Sequence, residues 1–341
     1  MRRFLSTLAV FCLLLSGCAK GSQPAQKQYT ATFLNLFDTV TTVVGRDSSE
    51  EAFQVKAYAI RDALQYYHQL FDIYNDYEGC NNIKTVNDNA GLQPVSVDPV
   101  LIRFLQDCKD YHSRTHGKVN VAMGSVLQLW HVARNEGLRD PRLAKLPDPA
   151  QLEAAAAHTD LNCVVIDEAA GTVFITDPAV QLDVGAVAKG WATQRVAENA
   201  PKGMLLSVGG NVCATGPKLT DGTPWVIGIQ DPEDAQKNLH TLYLTNAAVV
   251  TSGDYQRAYT VDGKSYHHII DPQTRMPATY WRSVSVVCAD SGLADALSTG
   301  LFLMDLEQGK ALAQACGAEV LWVDGKGNEF MTAGFESILR N

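Results

Sequence analysis

Three features are missing from the 341-residue sequence, and each absence excludes a class of protein. Basic residues are not in surplus: the net charge is −9, which argues against nucleic acid as the main partner because phosphate backbones need a basic surface. No C-x-x-C pair or Cys/His metal spacing occurs, so a zinc site is not expected. No internal repeat or long low-complexity segment occurs either. With 46% apolar and 19% charged residues, the chain supports a real core in one large domain or two small ones.

The N-terminus has no apolar run long enough to cross a bilayer, since Leu5–Leu15 is too short. This run follows Arg2 and Arg3 and ends in Leu-Ser-Gly-Cys18, which resembles a bacterial lipobox. The pattern predicts cleavage before Cys18 and lipidation of its sulfur and amine. The alternative is an ordinary secretory signal with a chance cysteine. Either way, the mature protein works outside the cytoplasm.

These features divide the chain into a lipoprotein signal peptide over 1–17, a lipidated polar tether over 18–30 and a folded domain over 31–341. We therefore expect the protein to be anchored by lipid to the bacterial cell membrane, on its extracytoplasmic side. Six other cysteines remain in the mature chain. This location permits disulfides, but the sequence does not pair them.

Strand-like segments joined by turn residues outnumber helical ones, which predicts an α+β fold with mixed, largely antiparallel sheets and packed helices. Hairpins are predicted over 163–176 and 255–270. Apolar spacing predicts helices over 50–74, 98–115, 152–158 and 291–304. Further strands are predicted over 29–45 with a break near 37–39, and over 119–121, 180–182, 204–208, 225–230, 239–245, 247–252 and 283–289. Residues 74–91 are predicted as a loop, and 130–149 as a polar surface excursion.

The stretch QLDVGAVAKGWATQRVA, residues 181–197, places a carboxylate and a lysine on either side of a tight turn at the start of a helix. Asp183 comes first, Gly185 lets the backbone approach a ligand, and Lys189 adds a charge that suits phosphate. The helix N-terminus offers unpaired N–H groups to an anion. The alternative is an ordinary strand-to-helix turn with a solvated lysine.

A second candidate lies in SGLADALST, where Asp295 and Thr299 are four residues apart. This spacing puts both oxygens on one face of a helix. A carboxylate and a hydroxyl are ligands that suit Mg²⁺, which takes its other ligands from phosphate and water. The spacing alone favours the structural alternative, a capping aspartate with a threonine bonded back to the helix.

A third candidate is the pair His267-His268 at the end of a predicted strand, before Ile-Ile-Asp-Pro. A lone histidine is usually structural, but a strand end places this pair at the mouth of a sheet. Histidine titrates near neutral pH and can take a proton from a hydroxyl. Asp271 is expected to shape the turn with Pro272.

Five blocks in order, LDVGAVAKGWA, SVGGN, TSGDY, HHIIDPQT and LADALST, resemble the ApbE family, the FAD:protein FMN transferases. The likeness runs from about Phe33 to the end of the chain, and the lipobox matches the many members that are lipoproteins. The resemblance implies one catalytic domain with a fold related to the T-fold. It also implies Mg²⁺-dependent transfer of the FMN moiety of FAD to a threonine hydroxyl of an acceptor protein, with release of AMP.

The resemblance assigns roles to residues position by position. The base is His268, and Mg²⁺ is held by the backbone carbonyl of Ala186 and by Asp295 and Thr299. Contacts with FAD are assigned to Phe37, Tyr74, Ala122, Met123, Gly124, Asp183, Lys189 and Ile270. Tyr77 is an alternative to Tyr74. The acceptors it implies are extracytoplasmic flavin-carrying subunits of electron-transport complexes, or related FMN-binding domains.

Two positions depart from the family pattern. Arg275 stands where glycine usually follows Asp-Pro-x-Thr, which suggests a reshaped turn, and Phe37 stands where methionine is usual. Two other functions stay open: hydrolysis of FAD to FMN and AMP at the same site, and binding of FAD by a lipoprotein that is not an enzyme.

Overall fold

The structure is a computed structural model that describes residues 26–219 and 222–340. Its α-helices are α1 Glu50–Phe71, α2 Ile83–Asp88, α3 Pro99–Arg114, α4 Gly124–Arg139, α5 Pro149–Ala156, α6 Ala188–Asn199, α7 Ser291–Phe302, α8 Leu306–Cys316 and α9 Ala333–Ile338. Short 3₁₀ turns cover Pro141–Leu143 and Leu161–Cys163. The predicted signal peptide and the lipidation site at Cys18 lie outside the described residues. None of the helices in the described ranges is both long and apolar enough to span a membrane.

An eight-stranded antiparallel sheet runs through the protein in the order β1-β2-β6-β7-β10-β13-β14-β15. Its strands are β1 Lys27–Leu36, β2 Thr39–Asp47, β6 Leu205–Val208, β7 Asn211–Ala214, β10 Ala248–Gly253, β13 Ser283–Cys288, β14 Glu319–Val323 and β15 Glu329–Met331. Three smaller antiparallel sheets lie in the described residues. One has three strands in the order β3 Val95–Ser96, β5 Thr172–Ile175 and β4 Val164–Asp167. The other two are hairpins: β8 Trp225–Gln230 pairs with β9 Asn238–Leu244, and β11 Tyr259–Val261 pairs with β12 Lys264–Tyr266. The predicted α+β class with largely antiparallel sheets is confirmed.

The centre of the large sheet is covered on both faces. All six residues of β13 are buried, in the sequence SVSVVC. On one face Val284 and Val286 pack with the apolar side of α7. On the other, Val287 packs with the β8–β9 hairpin and with Phe335 of α9. The sheet centre therefore carries the core, and the strand ends next to α7 are held rigidly.

Several predicted elements are wrong. The predicted loop 74–91 contains α2, which begins with a capping box between Asn82 and Thr85. The predicted excursion after Trp130 is helical up to Arg139, because Trp130, Ala133 and Gly137 form a buried stripe beneath a wide polar face. The isolated strands predicted at 119–121 and 180–182 are reduced to one parallel bridge between Met123 and Gln181.

Element boundaries also shift. The hairpin predicted over 255–270 pairs only β11 with β12. Strand β1 begins at Lys27, so residues 27–30 of the predicted tether pair with β2. The six cysteines of the described residues are free.

Helices α6 and α7 are in close contact at Gly190. A Cβ built there would overlap the carbonyl oxygen of Ser291 and the Cβ of Asp295. The backbone N–H of Gly190 donates to Asp295 Oδ2 at 2.8 Å. Glycine is therefore needed at position 190, where α7, which carries Asp295 and Thr299, packs on α6, which carries Lys189.

We predict that Gly190→Ala lowers the free energy of unfolding by about 1–3 kcal/mol, because overpacking of this contact outweighs the better helix propensity of alanine. Urea unfolding measures the change. Gly325→Ala is the matched control, since a Cβ there meets no atom within 4 Å. Equal stability of wild type and Gly190→Ala would contradict the close contact.

Candidate functional site

A cavity of about 710 Å³ opens beside the ends of the central strands. Ten of the residues predicted from the sequence line it: Phe37, Tyr74, Met123, Asp183, Ala186, Lys189, His268, Ile270, Asp295 and Thr299. The volume is in the range of small-molecule and cofactor sites, about 300–1,000 Å³. Residues from six separate parts of the sequence therefore converge on one space.

Two of the predicted residues do not line this cavity. Ala122 is fully buried in the core. Gly124 starts α4 and donates its N–H to the carbonyl of Gln181 at 2.9 Å. Of the predicted turn 122–124, only Met123 faces the cavity.

The turn at Asp183 is held in place from both sides. The backbone N–H of Asp183 donates to the carbonyl of Val121 at 2.8 Å, and Asp183 Oδ1 accepts from the N–H of Gly185 at 3.0 Å. The side chain of Asn87 accepts from the N–H of Leu182 at 2.7 Å and donates to its carbonyl at 3.0 Å. Asn87 is buried on α2, the helix that the sequence prediction missed. The sequence Asn-Asp-Asn that begins at Asn87 is typical of a loop, so no separate sequence signal indicated that Asn87 holds the turn at Asp183.

Asp295 is a buried carboxylate, with 4% of its surface exposed. Burial raises its pKa, while Lys189 and the N–H of Gly190 act in the opposite direction. Lys189 Nζ lies 3.7 Å from Asp295 Oδ2 and donates to the carbonyl of Gly185 at 3.2 Å. Lys189 thus already compensates part of the negative charge of the buried Asp295 carboxylate.

The oxygen set also fits Mg²⁺ in number and type. Asp295 and Thr299 face the cavity one helical turn apart, and Ala186 lies at its wall. In the described ranges no three His, Cys, Asp or Glu side chains cluster to hold a metal. Mg²⁺ takes few protein ligands and keeps waters and phosphate oxygens, so Asp295 and Thr299 are candidates for part of its coordination shell.

Hydroxyl groups fix α7 against the sheet. Ser252 of β10 and Ser298 of α7 share a hydrogen bond of 2.9 Å, and Ser298 also donates to the carbonyl of Asp295. Asp290 caps the helix by accepting from the N–H of Leu293. These contacts set the rotation of α7, so that Asp295 points into the cavity.

The two neighbouring histidines have different surroundings. His267 is buried, and its Nε2 lies 2.9 Å from the carbonyl of Ala278, away from the cavity. His268 lines the cavity, and its Nδ1 lies 3.2 Å from the carbonyl of Gln256. Burial, and then the charge of Arg257, lowers the pKa of His268 to about 3. The imidazole is therefore neutral, with Nδ1–H donated to Gln256 and the lone pair of Nε2 free to accept a proton.

The β1–β2 turn brings Phe37 to the cavity in a strained backbone conformation. Phe37 and Asp38 both have φ near +52°, where residues other than glycine are uncommon. The N–H of Phe37 donates to His68 Nδ1 at 3.2 Å. His68 Nε2 lies 3.4 Å from the hydroxyl of Tyr77, which donates to Asp72 at 2.7 Å. Tyr77 thus supports the turn from behind, whereas Tyr74 lines the cavity.

Arg275 does not line the cavity. Its φ is +61°, so this arginine takes the left-handed conformation that glycine favours. Its N–H donates to the carbonyl of Asp271 at 2.7 Å, its carbonyl accepts from Trp130 Nε1 at 2.9 Å, and its guanidinium pairs with Glu153. The turn thus keeps a glycine-type backbone, in place of the reshaped turn that the sequence suggested.

The fold and the cavity define an α+β protein in which a buried aspartate and a histidine face one ligand-sized space. The profile of the ApbE family matches residues 37–322, and the chain belongs to this family. It is 32% identical to a FAD:protein FMN transferase of Klebsiella pneumoniae (strain 342) over 270 residues, 75% of this chain and 80% of that protein. It is 33% identical to the FAD:protein FMN transferase of Treponema pallidum (strain Nichols), over 71% and 70% of the two chains.

Solved structures agree with this membership. The crystal structure of the ApbE protein from Thermotoga maritima superposes with a TM-score of 0.81 at 28% identity, covering 92% of this chain and all of that one. The flavin transferase ApbE from Vibrio cholerae, at 23% identity, has the same fold with a TM-score of 0.74.

We predict that Tyr77→Phe lowers the free energy of unfolding by about 1 kcal/mol, because Asp72 and His68 each lose a partner. The same change should speed hydrogen exchange of the Phe37 amide, because His68, which accepts from this amide, loses its contact with the Tyr77 hydroxyl. Urea unfolding and exchange monitored by NMR measure the two effects. Tyr280→Phe, on an exposed side chain, is the control. Unchanged exchange at Phe37 would contradict the support by Tyr77.

Proposed function

We propose that this chain is an extracytoplasmic FAD:protein FMN transferase, anchored to the bacterial membrane by lipid on Cys18. It transfers the FMN moiety of FAD to a threonine hydroxyl of an acceptor protein and releases AMP. The observation that carries the proposal is that His268, oriented by the carbonyl of Gln256, faces the same cavity as the buried side chain of Asp295. The names of the relatives support the reaction.

In the proposed site, Asp295, Thr299 and the carbonyl of Ala186 would hold Mg²⁺. The ion would supply positive charge to a bound diphosphate. Lys189 contributes a fixed positive charge on the same side. Asp183, Phe37, Tyr74, Met123 and Ile270 line the space that takes FAD.

His268 accepts the proton of the threonine hydroxyl at Nε2, while the carbonyl of Gln256 holds the tautomer through Nδ1–H. The threonine oxygen forms a bond to the phosphorus on the FMN side. The bond between that phosphorus and the bridging oxygen breaks, and AMP leaves with the bridging oxygen. The proton on His268 then passes to solvent, and the product is FMN joined to threonine by a phosphoester.

Incubation with FAD, Mg²⁺ and an extracytoplasmic flavin-carrying subunit tests the proposal. We expect an acceptor heavier by one FMN in mass spectrometry, with one AMP released per acceptor. Free FMN and AMP with an unmodified acceptor would favour hydrolysis. Tight FAD binding without AMP release under any metal would favour a binding protein and contradict the enzyme.

His268→Ala should reduce the rate of transfer by about 100-fold or more, since general base catalysis contributes about 10²–10⁴. FAD affinity should change little, because the histidine acts on the hydroxyl. AMP release and FAD titration measure the two quantities. His267→Ala tests the neighbouring ring, which does not face the cavity. A wild-type rate of transfer in the His268→Ala variant would contradict the assignment of His268 as the base.

Asp295→Asn should raise the Mg²⁺ concentration for half-maximal transfer by about tenfold or more, because a charged ligand is lost while the shape is kept. Asp305→Asn is a matched control, since it caps the neighbouring helix α8 and asparagine also caps well. An identical Mg²⁺ titration in Asp295→Asn and wild type would reject Asp295 as a ligand.

A further inference from the structure

Two arginines at the cavity have no carboxylate partner. Arg134 of α4 and Arg257 of the β10–β11 loop both line the cavity. Within 26–219 and 222–340, neither forms an ion pair, and Arg134 makes one weak hydrogen bond, to Asn135 at 3.4 Å. By contrast, Lys118 at the same cavity pairs with Asp271 at 2.7 Å. The two guanidinium groups are therefore available to an anion from outside the chain.

The electrostatics of this arginine pair, Arg134 and Arg257, are unfavourable without such an anion. Burial and the charge of Arg257 both lower the pKa of Arg134. The adjoining His131 is held mainly neutral, because burial lowers its pKa more than Asp183 raises it. Asp183 lies 3.9 Å from His131 Nε2 and is the nearby negative charge. Two like charges facing one space bind a carboxylate or phosphate well, and arginine suits such planar groups.

The backbone at Arg257 is strained. Its φ is +47°, in the left-handed region that residues other than glycine and asparagine seldom adopt. Left-handed residues cluster at binding and catalytic sites, where the surrounding structure holds them. The chain thus keeps a costly conformation at the point where this guanidinium reaches the cavity.

The arginine pair lies beside the proposed base. Gln256, which precedes Arg257, provides the carbonyl that orients His268. Arg257, Arg134 and His268 also line a second, smaller pocket that adjoins the cavity. A hydroxyl that reaches His268 therefore lies next to the two arginines, whereas the diphosphate of FAD is expected at Lys189 and the proposed cation.

We propose that Arg134 and Arg257 bind an acidic side chain of the acceptor, close in sequence to the threonine that receives FMN. This inference rests on the proposed function. It makes the arginine pair a specificity determinant for the acceptor and gives it no part in binding FAD.

The test uses the FAD-loaded protein and fluorescent eight-residue peptides. Each peptide carries one threonine and one aspartate within three positions of it, and each has a twin with asparagine in place of aspartate. Fluorescence anisotropy measures binding to wild type, to Arg134→Gln, to Arg257→Gln and to the double variant. Arg139→Gln is the control, because Arg139 is exposed on the same helix and does not line the cavity.

For wild type, we expect at least one aspartate peptide to bind about tenfold or more tightly than its asparagine twin, as charge-assisted hydrogen bonds give. The ratio of the affinities for the aspartate peptide and its asparagine twin should fall in each single variant and approach one in the double variant. The control should keep it, and FAD affinity should stay within about twofold in all variants.

Three results would overturn the inference: no preference for aspartate in wild type, a preference that survives in the double variant, or a parallel loss of FAD affinity. The last would assign the arginine pair to the phosphates of FAD. Peptide binding requires no turnover, so this test gives an answer even if transfer itself is not observed. Failure of the acceptor and AMP assay would contradict the proposed function separately.

Discussion

The contact between Gly190 and Asp295 is the constraint on which the site depends. The glycine lets α6 and α7 meet without a side chain between them, and its N–H donates to the buried carboxylate. That contact brings Lys189, one residue earlier, within 3.7 Å of Asp295. One helix contact therefore brings together the proposed metal ligand Asp295, the proposed phosphate contact Lys189 and the turn that begins at Asp183.

The charges of the cavity follow from this arrangement. On one side, burial raises the pKa of Asp295, while Lys189 at 3.7 Å acts in the opposite direction. On the other side, burial and neighbouring positive charges lower the pKa of His268. The proposed cation would add positive charge beside the buried carboxylate, and the neutral imidazole of His268 keeps a lone pair for the proton of a hydroxyl.

Many residues that line the cavity could be predicted from the sequence, in part from local signals in short blocks and in part only through the resemblance to the ApbE family, as for Phe37, Tyr74 and Met123. Asp295 and Thr299 share a helix face by spacing alone, and Asp183 precedes a glycine turn. Asn87, His68 and Asp72 could not be predicted in the same way. Their roles depend on long-range contacts, such as the bonds from Asn87 to Leu182 across 95 positions.

The fold class was also predictable, since the strand and turn signals are strong, whereas two helices were missed for physical reasons. In α2 the Asn and Asp residues that suggest a loop in fact cap the helix and bind the backbone. In α4 the buried stripe is narrow, and the polar face that made it resemble a surface segment supplies Arg134 and His131 to the cavity. Tertiary packing therefore outweighed local composition at these two places.

In the proposed site, α6, α7 and the strand end at His268 together hold one cation and one diphosphate in a single space. Electron–nuclear double resonance with Mn²⁺ in place of Mg²⁺, on the protein bound to FAD, tests this arrangement most directly. We expect ³¹P coupling from FAD to the bound Mn²⁺, and loss of this signal in Asp295→Asn. Mn²⁺ that binds without phosphorus coupling, or with a coupling that Asp295→Asn leaves unchanged, would contradict it.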